Sequence, residues 1–199
     1  YRGDRNMRWN WNAPILISPH NSSTIYHAGN KIVKSTNRGE TWTEISEDLT
    51  TQDTIKMKGT GNIQYCTITT IDESPIKEGE IWAGTDDGNV QLTQDGGKTW
   101  TLLNDNIPGQ PGYWVSRVVA SMHQAGKAYV SYTGYRRDDF RPFVYVTEDY
   151  GATWKSIASG LGDAPVNVIR EDHVNPNLLF LGTEMGVHFS IDAGKTWND

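Results

Sequence analysis

The 199-residue sequence predicts an all-β chain, and three observations carry that prediction. Short runs rich in Val, Ile, Thr and aromatic residues recur between Gly, Pro, Asn and Asp, the composition of strands bounded by tight turns. No stretch sustains the apolar period of a helix. A turn of the form hydroxyl-x-acid-x-Gly-x-Thr-Trp returns four times, as "STNRGETW" ending at Trp42, "TQDGGKTW" at Trp100, "TEDYGATW" at Trp154 and "SIDAGKTW" at Trp197.

Each turn closes a larger unit. Upstream of the four tryptophans lie matching aromatics, Tyr26, Trp82, Tyr129 and Phe180, and upstream of those the β-rich runs "PILIS", "CTITTI", "VSRVVAS" and "VNVIRE". The order is strand, turn, strand, turn, strand, acidic turn, strand. Internal repeats of this length built from four short strands predict the blades of a β-propeller. The blades fall at about 13–46, 65–103, 114–158 and 165–199, giving four four-stranded sheets in a single segment, 1–199, that is part of a larger propeller. "MRWNWN" alternates Met7, Trp9 and Trp11 against polar residues, so an N-terminal strand is expected over about 7–12, serving as an outer strand. The last unit leaves two residues after Trp197 for its fourth strand.

The acidic turns read as structural. Ser35 and Asn37, Thr93 and Asp95, Thr147 and Asp149, and Ser190 and Asp192 can satisfy free backbone N–H groups locally. Gly39, Gly97, Gly151 and Gly194 take the left-handed conformation, and Trp42, Trp100, Trp154 and Trp197 cover the turns. Asn37 stands where the other three have an acid, and an amide accepts similar hydrogen bonds but cannot act as a general acid or base.

These turns resemble the Asp-box, or BNR, repeat of sialidases, xyloglucanase-type glycosidases and sortilin/VPS10 ectodomains, with three full matches and the Asn37 departure. Repeat units run from about Ala13 to Trp197, and "WNWNAPILISPH" is similar to bacterial sortilin-like BNR proteins. The resemblance implies a secreted, cell-surface or periplasmic protein and a ligand site on the face opposite the boxes. It brings no catalytic residue with it: "FRP" at Phe140 to Pro142 lacks the isoleucine of the sialidase signature, and no nucleophilic Tyr–Glu pair can be assigned.

On that opposite face the third unit carries about seven extra residues between its aromatic and its box tryptophan. Insertions on one face of a repeat array are where binding resides. Tyr135, Arg136, Arg137, Asp138, Asp139 and Arg141 are therefore candidate ligand residues, with Asp86, Asp87 and Glu184 on neighbouring loops. Arginine forks suit carboxylate, sulfate or phosphate. The plainer reading is that Asp138 and Asp139 pair with the arginines, and that "DDG" is a hairpin turn. A non-catalytic binding module for polypeptide or glycan is the expectation. A glycoside hydrolase using two of these carboxylates, or a structural scaffold, is the alternative.

A net charge of −6 excludes the basic stripe of a nucleic-acid reader, and the Arg2, Arg5 and Arg8 cluster reads as surface charge. No apolar run is long enough for membrane insertion. Of the histidines at 20, 27, 123, 173 and 188, His20, His123 and His173 fall at or beside one repeat position in separate units, so no metal and no cofactor is expected. Cys66 is alone. Four blades in an open arc leave unpaired edges, so association through blade edges, or with the rest of a longer parent chain, is expected.

Overall fold

The computed structural model describes residues 7–58 and 64–199. Four antiparallel sheets follow one another along the chain. Blade 1 comprises β1 (Ile15–Ile17), β2 (Ile25–Ala28), β3 (Ile32–Ser35) and β4 (Thr43–Glu44). Blade 2 comprises β5 (Ile68–Glu73), β6 (Ile81–Thr85), β7 (Val90–Thr93) and β8 (Thr101–Leu102). In blade 3 the strands are β9 (Trp114–Ala120), β10 (Ala128–Gly134), β11 (Asp139–Thr147) and β12 (Lys155–Ser156). Blade 4 holds β13 (Val166–Glu171), β14 (Leu179–Thr183) and β15 (Val187–Ser190). Its fourth strand is reduced to one bridge, Phe189 with Asn198, so this blade is three-stranded where four were expected. The fold is an all-β propeller arc.

Neighbouring blades pack in chain order, through β1 and β2 on β5, β5 and β6 on β9, and β9 and β10 on β13. Three apolar layers fill the gaps. Tyr26, Ile32, Ile71 and Ile81 lie between blades 1 and 2. Trp82, Val118, Tyr132 and Trp154 lie between blades 2 and 3, and Tyr129, Val144, Ile169 and Leu179 between blades 3 and 4. Side chains alternate across each pleated sheet, so every blade offers one face forward and one back.

The repeat aromatics show where this arc ends. Tyr26, Trp82 and Tyr129 point at the following blade and are at most 1% exposed, whereas Phe180 in blade 4 is 42% exposed. Val187 and Phe189 share that open face across β15. At the other end Ile15 and Ile17 are exposed on the back of blade 1. Both terminal faces are thus apolar and uncovered.

Acid-to-hydroxyl bonds reinforce the packing. Tyr26 Oη donates to Glu73 Oε1 at 3.1 Å, and Tyr129 Oη donates to Glu171 Oε1 at 2.9 Å, each crossing to the next blade. Glu171 also accepts from Ser121 Oγ and the Met122 amide, so its buried charge is fully hydrogen-bonded.

Residues 7–12 form no strand, contrary to the alternation of "MRWNWN". They lie across the loops joining blades 1 and 2. Arg8 is no surface charge either: its guanidinium meets Asp48 Oδ2 at 2.7 Å and the Cys66 carbonyl at 3.0 Å, while its amide donates to Asn30. Trp9 stacks on His27 with ring centroids 4.4 Å apart. Polar residues that alternate for solvent contact in a strand are here spent on loop carbonyls and carboxylates. Arg2 and Arg5 lie outside the described residues. A short helix, α1 (Thr54–Met57), was also not expected; Asp53 caps it by accepting from the Ile55 and Lys56 amides.

Candidate functional site

The acidic turns come first, because they decide which carboxylates are free for chemistry. In blade 2, Asp95 Oδ1 accepts from Thr93 Oγ1 at 2.8 Å and from the Thr99 amide at 3.0 Å, and Oδ2 accepts from Thr99 Oγ1 at 2.7 Å. Asp149 and Asp192 repeat this pattern. These hydrogen bonds hold the Asp192 carboxyl down at about 2, and Asp95 and Asp149 well below the usual carboxylate range. Asn37 accepts from the Thr41 amide at 2.9 Å and reverses the last bond, its Nδ2 donating to Thr41 Oγ1. The turn closes either way.

Three of the four boxes also reach backwards. Trp100 Nε1 donates to the Ile45 carbonyl of blade 1 at 2.9 Å, and Trp197 Nε1 to the Ile157 carbonyl of blade 3 at 2.7 Å. Trp154 makes the link with its ring, edge-on to Trp82 at 6.1 Å. Trp42, in the first blade, donates to Gly39 in its own turn. The boxes therefore bind blade to blade. His20 and His123 do the same on this face, their Nε2 atoms at 2.8 and 2.7 Å from the Ser74 and Asp172 carbonyls of the next blade. Among the described residues no three potential metal ligands come together.

On the opposite rim the insertion is not a loose loop. It lengthens a hairpin: β10 pairs with β11 out to Gly134 and Asp139, and Asp138 takes a left-handed φ of 56° at the tip. Asp139 through Pro142 are strand residues. Arg141 grips Asp139 with two bonds, Nε to Oδ1 at 2.9 Å and Nη2 to Oδ2 at 2.6 Å, and Tyr113 Oη donates to the same carboxylate at 2.9 Å. That pairing holds Asp139 well below the ordinary carboxylate range. Arg136 lies 4.5 Å over the Trp114 ring and 4.7 Å over Tyr135, and Arg137 lies 5.5 Å over Tyr113.

The hairpin divides two depressions. Between blades 2 and 3 is a cleft of about 310 Å³ whose walls include Tyr65, Tyr113, Trp114, Asp86, Thr133 and Arg137. Thr133 Oγ1 is buried there without a hydrogen-bond partner among the described residues. Between blades 3 and 4 a second depression, about 390 Å³, is lined by Tyr135, Phe140, Met185 and Glu184, with Asp163 and Pro165. Glu184 is exposed and accepts from Asn167 Nδ2 at 3.0 Å.

Asp86 and Asp87 part company. Asp87 is turned under the blade connection, accepting from the Thr51 amide at 2.9 Å and Thr51 Oγ1 at 2.6 Å, with Thr85 Oγ1 on its other oxygen. Asp86 borders the first cleft, accepts from Thr67 Oγ1 at 2.7 Å and from Asn10 Nδ2 at 3.4 Å, and burial pushes its carboxyl up to about 6. Tyr65, Tyr113, Trp114 and Lys56 had no sequence signal as site residues. Lys56, Tyr65 and Tyr113 stand on connections between blades and Trp114 opens β9, and none of them occupies a marked repeat position. Cys66, buried with its thiol pushed up to about 12 by desolvation, is unreactive packing.

Fold and turns together define an Asp-box β-propeller arc. Residues 91–102 match the BNR/Asp-box repeat family, and turns of the same residue pattern recur in the other blades, with Asn37 in place of the acid in blade 1. Many solved structures share the fold. The GH74 enzyme of Niastella koreensis is 23% identical with a TM-score of 0.68, over 92% of this chain and 28% of that one. The GH74 xyloglucanase of Xanthomonas campestris is 18% identical with a TM-score of 0.65, over 92% and 29%. YCF48 of Cyanidioschyzon merolae is 16% identical with a TM-score of 0.59, over 98% and 57%. The chain thus spans under a third of the length of the GH74 proteins. A comparison with curated protein sequences finds no match. No helix among the described residues is long and apolar enough to cross a membrane.

Proposed function

We propose that this chain is the binding part of an exported BNR-repeat protein and that it takes a glycan across the rim between blades 2 and 4. The carrying observation is the cleft of about 310 Å³, where Tyr65, Tyr113 and Trp114 offer flat apolar surface beside Asp86 and the Thr133 hydroxyl, which has no partner among the described residues. Sugar rings present apolar C–H faces and hydroxyl edges, and a concave wall of aromatics with few polar groups suits both. The neighbouring depression under Tyr135 and Phe140 extends the surface for a chain rather than a monosaccharide. Sortilin-like affinity for polypeptide is the rival outcome.

Hydrolysis asks for two carboxyl groups about 5–10 Å apart across the bound sugar. Asp86 is the one carboxylate bordering the cleft among the described residues, since Asp87 is held beneath Thr51 and Asp139 is held by Arg141. That supports binding over turnover.

The open ends favour a further property of the same module. Phe180 is exposed where Tyr26, Trp82 and Tyr129 are covered by the next blade, and Trp42 donates within its own turn where Trp100 and Trp197 donate to the preceding blade. These faces associate with further blades or with a partner polypeptide.

Glycan and peptide arrays test the reading, with Tyr113→Ala and Arg137→Ala as probes. Glycan capture that falls at least tenfold in both variants supports it. Peptide capture alone, or turnover of xyloglucan lost in Asp86→Asn, replaces it.

A further inference from the structure

The inner strands β1, β5, β9 and β13 line an axial cavity of about 570 Å³ that neither the boxes nor the rim cleft uses. Arg117 on β9 projects into it, and its Nε is buried with no hydrogen-bond partner among the described residues. Arg170 on β13 lines the same space and spends one Nη on the Ile169 carbonyl at 3.2 Å. The acid between them does not neutralise the pair. Asp72 has Oδ2 occupied by the Ala120 amide at 3.0 Å, and no ion pair within 4.0 Å joins it to either arginine. Glu171, at the cavity edge, is already satisfied by Ser121, Met122 and Tyr129, with Lys127 at 3.6 Å.

The lining sets two guanidinium groups against two carboxylates, of which Glu171 is already paired to Lys127, and it leaves Arg117 Nε without a partner among the described residues. Desolvation first, and the nearby Arg170 charge second, push the Arg117 guanidinium down from its ordinary range, with the Asp72 charge opposing them. Burying an uncompensated cation is costly, and a planar guanidinium with free donors matches a two-oxygen acceptor.

We propose that the axial cavity is an oxyanion site in which Arg117 and Arg170 together hold a carboxylate or phosphate group. Asp72 sets its selectivity by repelling anions that cannot reach both arginines at once. Trp114 walls both this cavity and the rim cleft, so a group entering from the rim passes its indole. The site nevertheless stands on its own residues and does not depend on the glycan reading.

Isothermal titration of the 199-residue chain with inorganic phosphate, glucuronate and an acetylated dipeptide with a free C-terminal carboxylate, at constant ionic strength in chloride, tests it. Saturable binding of at least one is expected, weakened at least tenfold in Arg117→Gln and in Arg170→Gln and unchanged in Lys155→Gln, an exposed charge on β12. The tightest of the three identifies the source of the group: a free phosphate, a sugar acid or a chain terminus. Arg170 is solvent-exposed, so its variant keeps the test valid if Arg117→Gln fails to fold. No saturable binding above chloride, or equal binding in the folded arginine variants, overturns the proposal.

Discussion

Gly96 and Gly97 are adjacent, both left-handed, and predicted to respond very differently to one methyl group. Their φ angles are 74° and 99°. A Cβ on Gly96 would meet nothing within 4 Å, whereas on Gly97 it would stand 2.5 Å from the Ile45 carbonyl oxygen and 2.8 Å from Ile45 Cβ. The other boxes already place Arg38, Tyr150 and Ala193 at the Gly96 position, with φ of 59°, 59° and 61°. Left-handed strain costs about 1–2 kcal/mol, partly offset by about 0.4–1 kcal/mol of lost unfolded-state freedom, so Gly96→Ala should destabilise by about 0.5–1 kcal/mol. Gly97→Ala adds overpacking against backbone that must carry β4 with it, about 1–3 kcal/mol more, for about 2–4 kcal/mol in total. Gly151→Ala should fall between, because its clash is with Leu103 side-chain carbons, which can rotate away. Urea unfolding at neutral pH, with matched m-values, reads all three. Gly96→Ala and Gly97→Ala agreeing within about 0.5 kcal/mol would refute the idea that the box glycine is pressed onto the preceding blade.

Two further outcomes follow from the same geometry. Burial raises Asp72 and Asp86 to about 6, above the unfolded value of 3.8, so their contribution to stability is full below pH 3.8 and is lost as pH rises through 6. Asp72→Asn should flatten the fall in unfolding free energy between pH 4.5 and 7 by about 2 kcal/mol, and an unchanged slope in denaturant titrations would reject that assignment. Sedimentation velocity should show concentration-dependent association of the chain, abolished when Ile15→Asp and Phe180→Asp are combined; a monomer at every concentration would contradict the docking role of the end faces.

How far the sequence reached depended on the range of the contacts involved. The boxes were readable because Ser or Thr, acid, Gly and Thr satisfy one another within eight residues. So was the sequence of blades, since each strand-2 aromatic precedes its box at a similar remove, lengthened in the third unit by the inserted hairpin. Contacts between blades were not readable. Tyr129 and Glu171 are 42 residues apart, and nothing local marks the glutamate at the end of a strand as its partner. The "MRWNWN" alternation misled for a related reason: period two describes which residues share a side, not whether a neighbouring strand exists to pair with, and Arg8 found Asp48 and the Cys66 carbonyl instead. At the rim, composition picked out the inserted hairpin but not its division of labour. Arg141 and Asp139 answer each other, Asp87 braces a connection, and Arg136, Arg137 and Asp86 remain at the cleft. Tyr65, on the connection into blade 2, and Trp114, at the start of β9, entered only when folding brought them beside that hairpin.

Exchange of the tryptophan indole protons, followed by NMR in deuterated water, tests most directly whether the acidic turns fasten one blade to the previous one. Trp100 and Trp197 donate to carbonyls of the preceding blade, so their indole protons should exchange only when blades separate, at rates that track global stability. Trp42, bonded within its own turn, should exchange orders of magnitude faster through local fraying. Equal exchange at Trp42, Trp100 and Trp197 would contradict it.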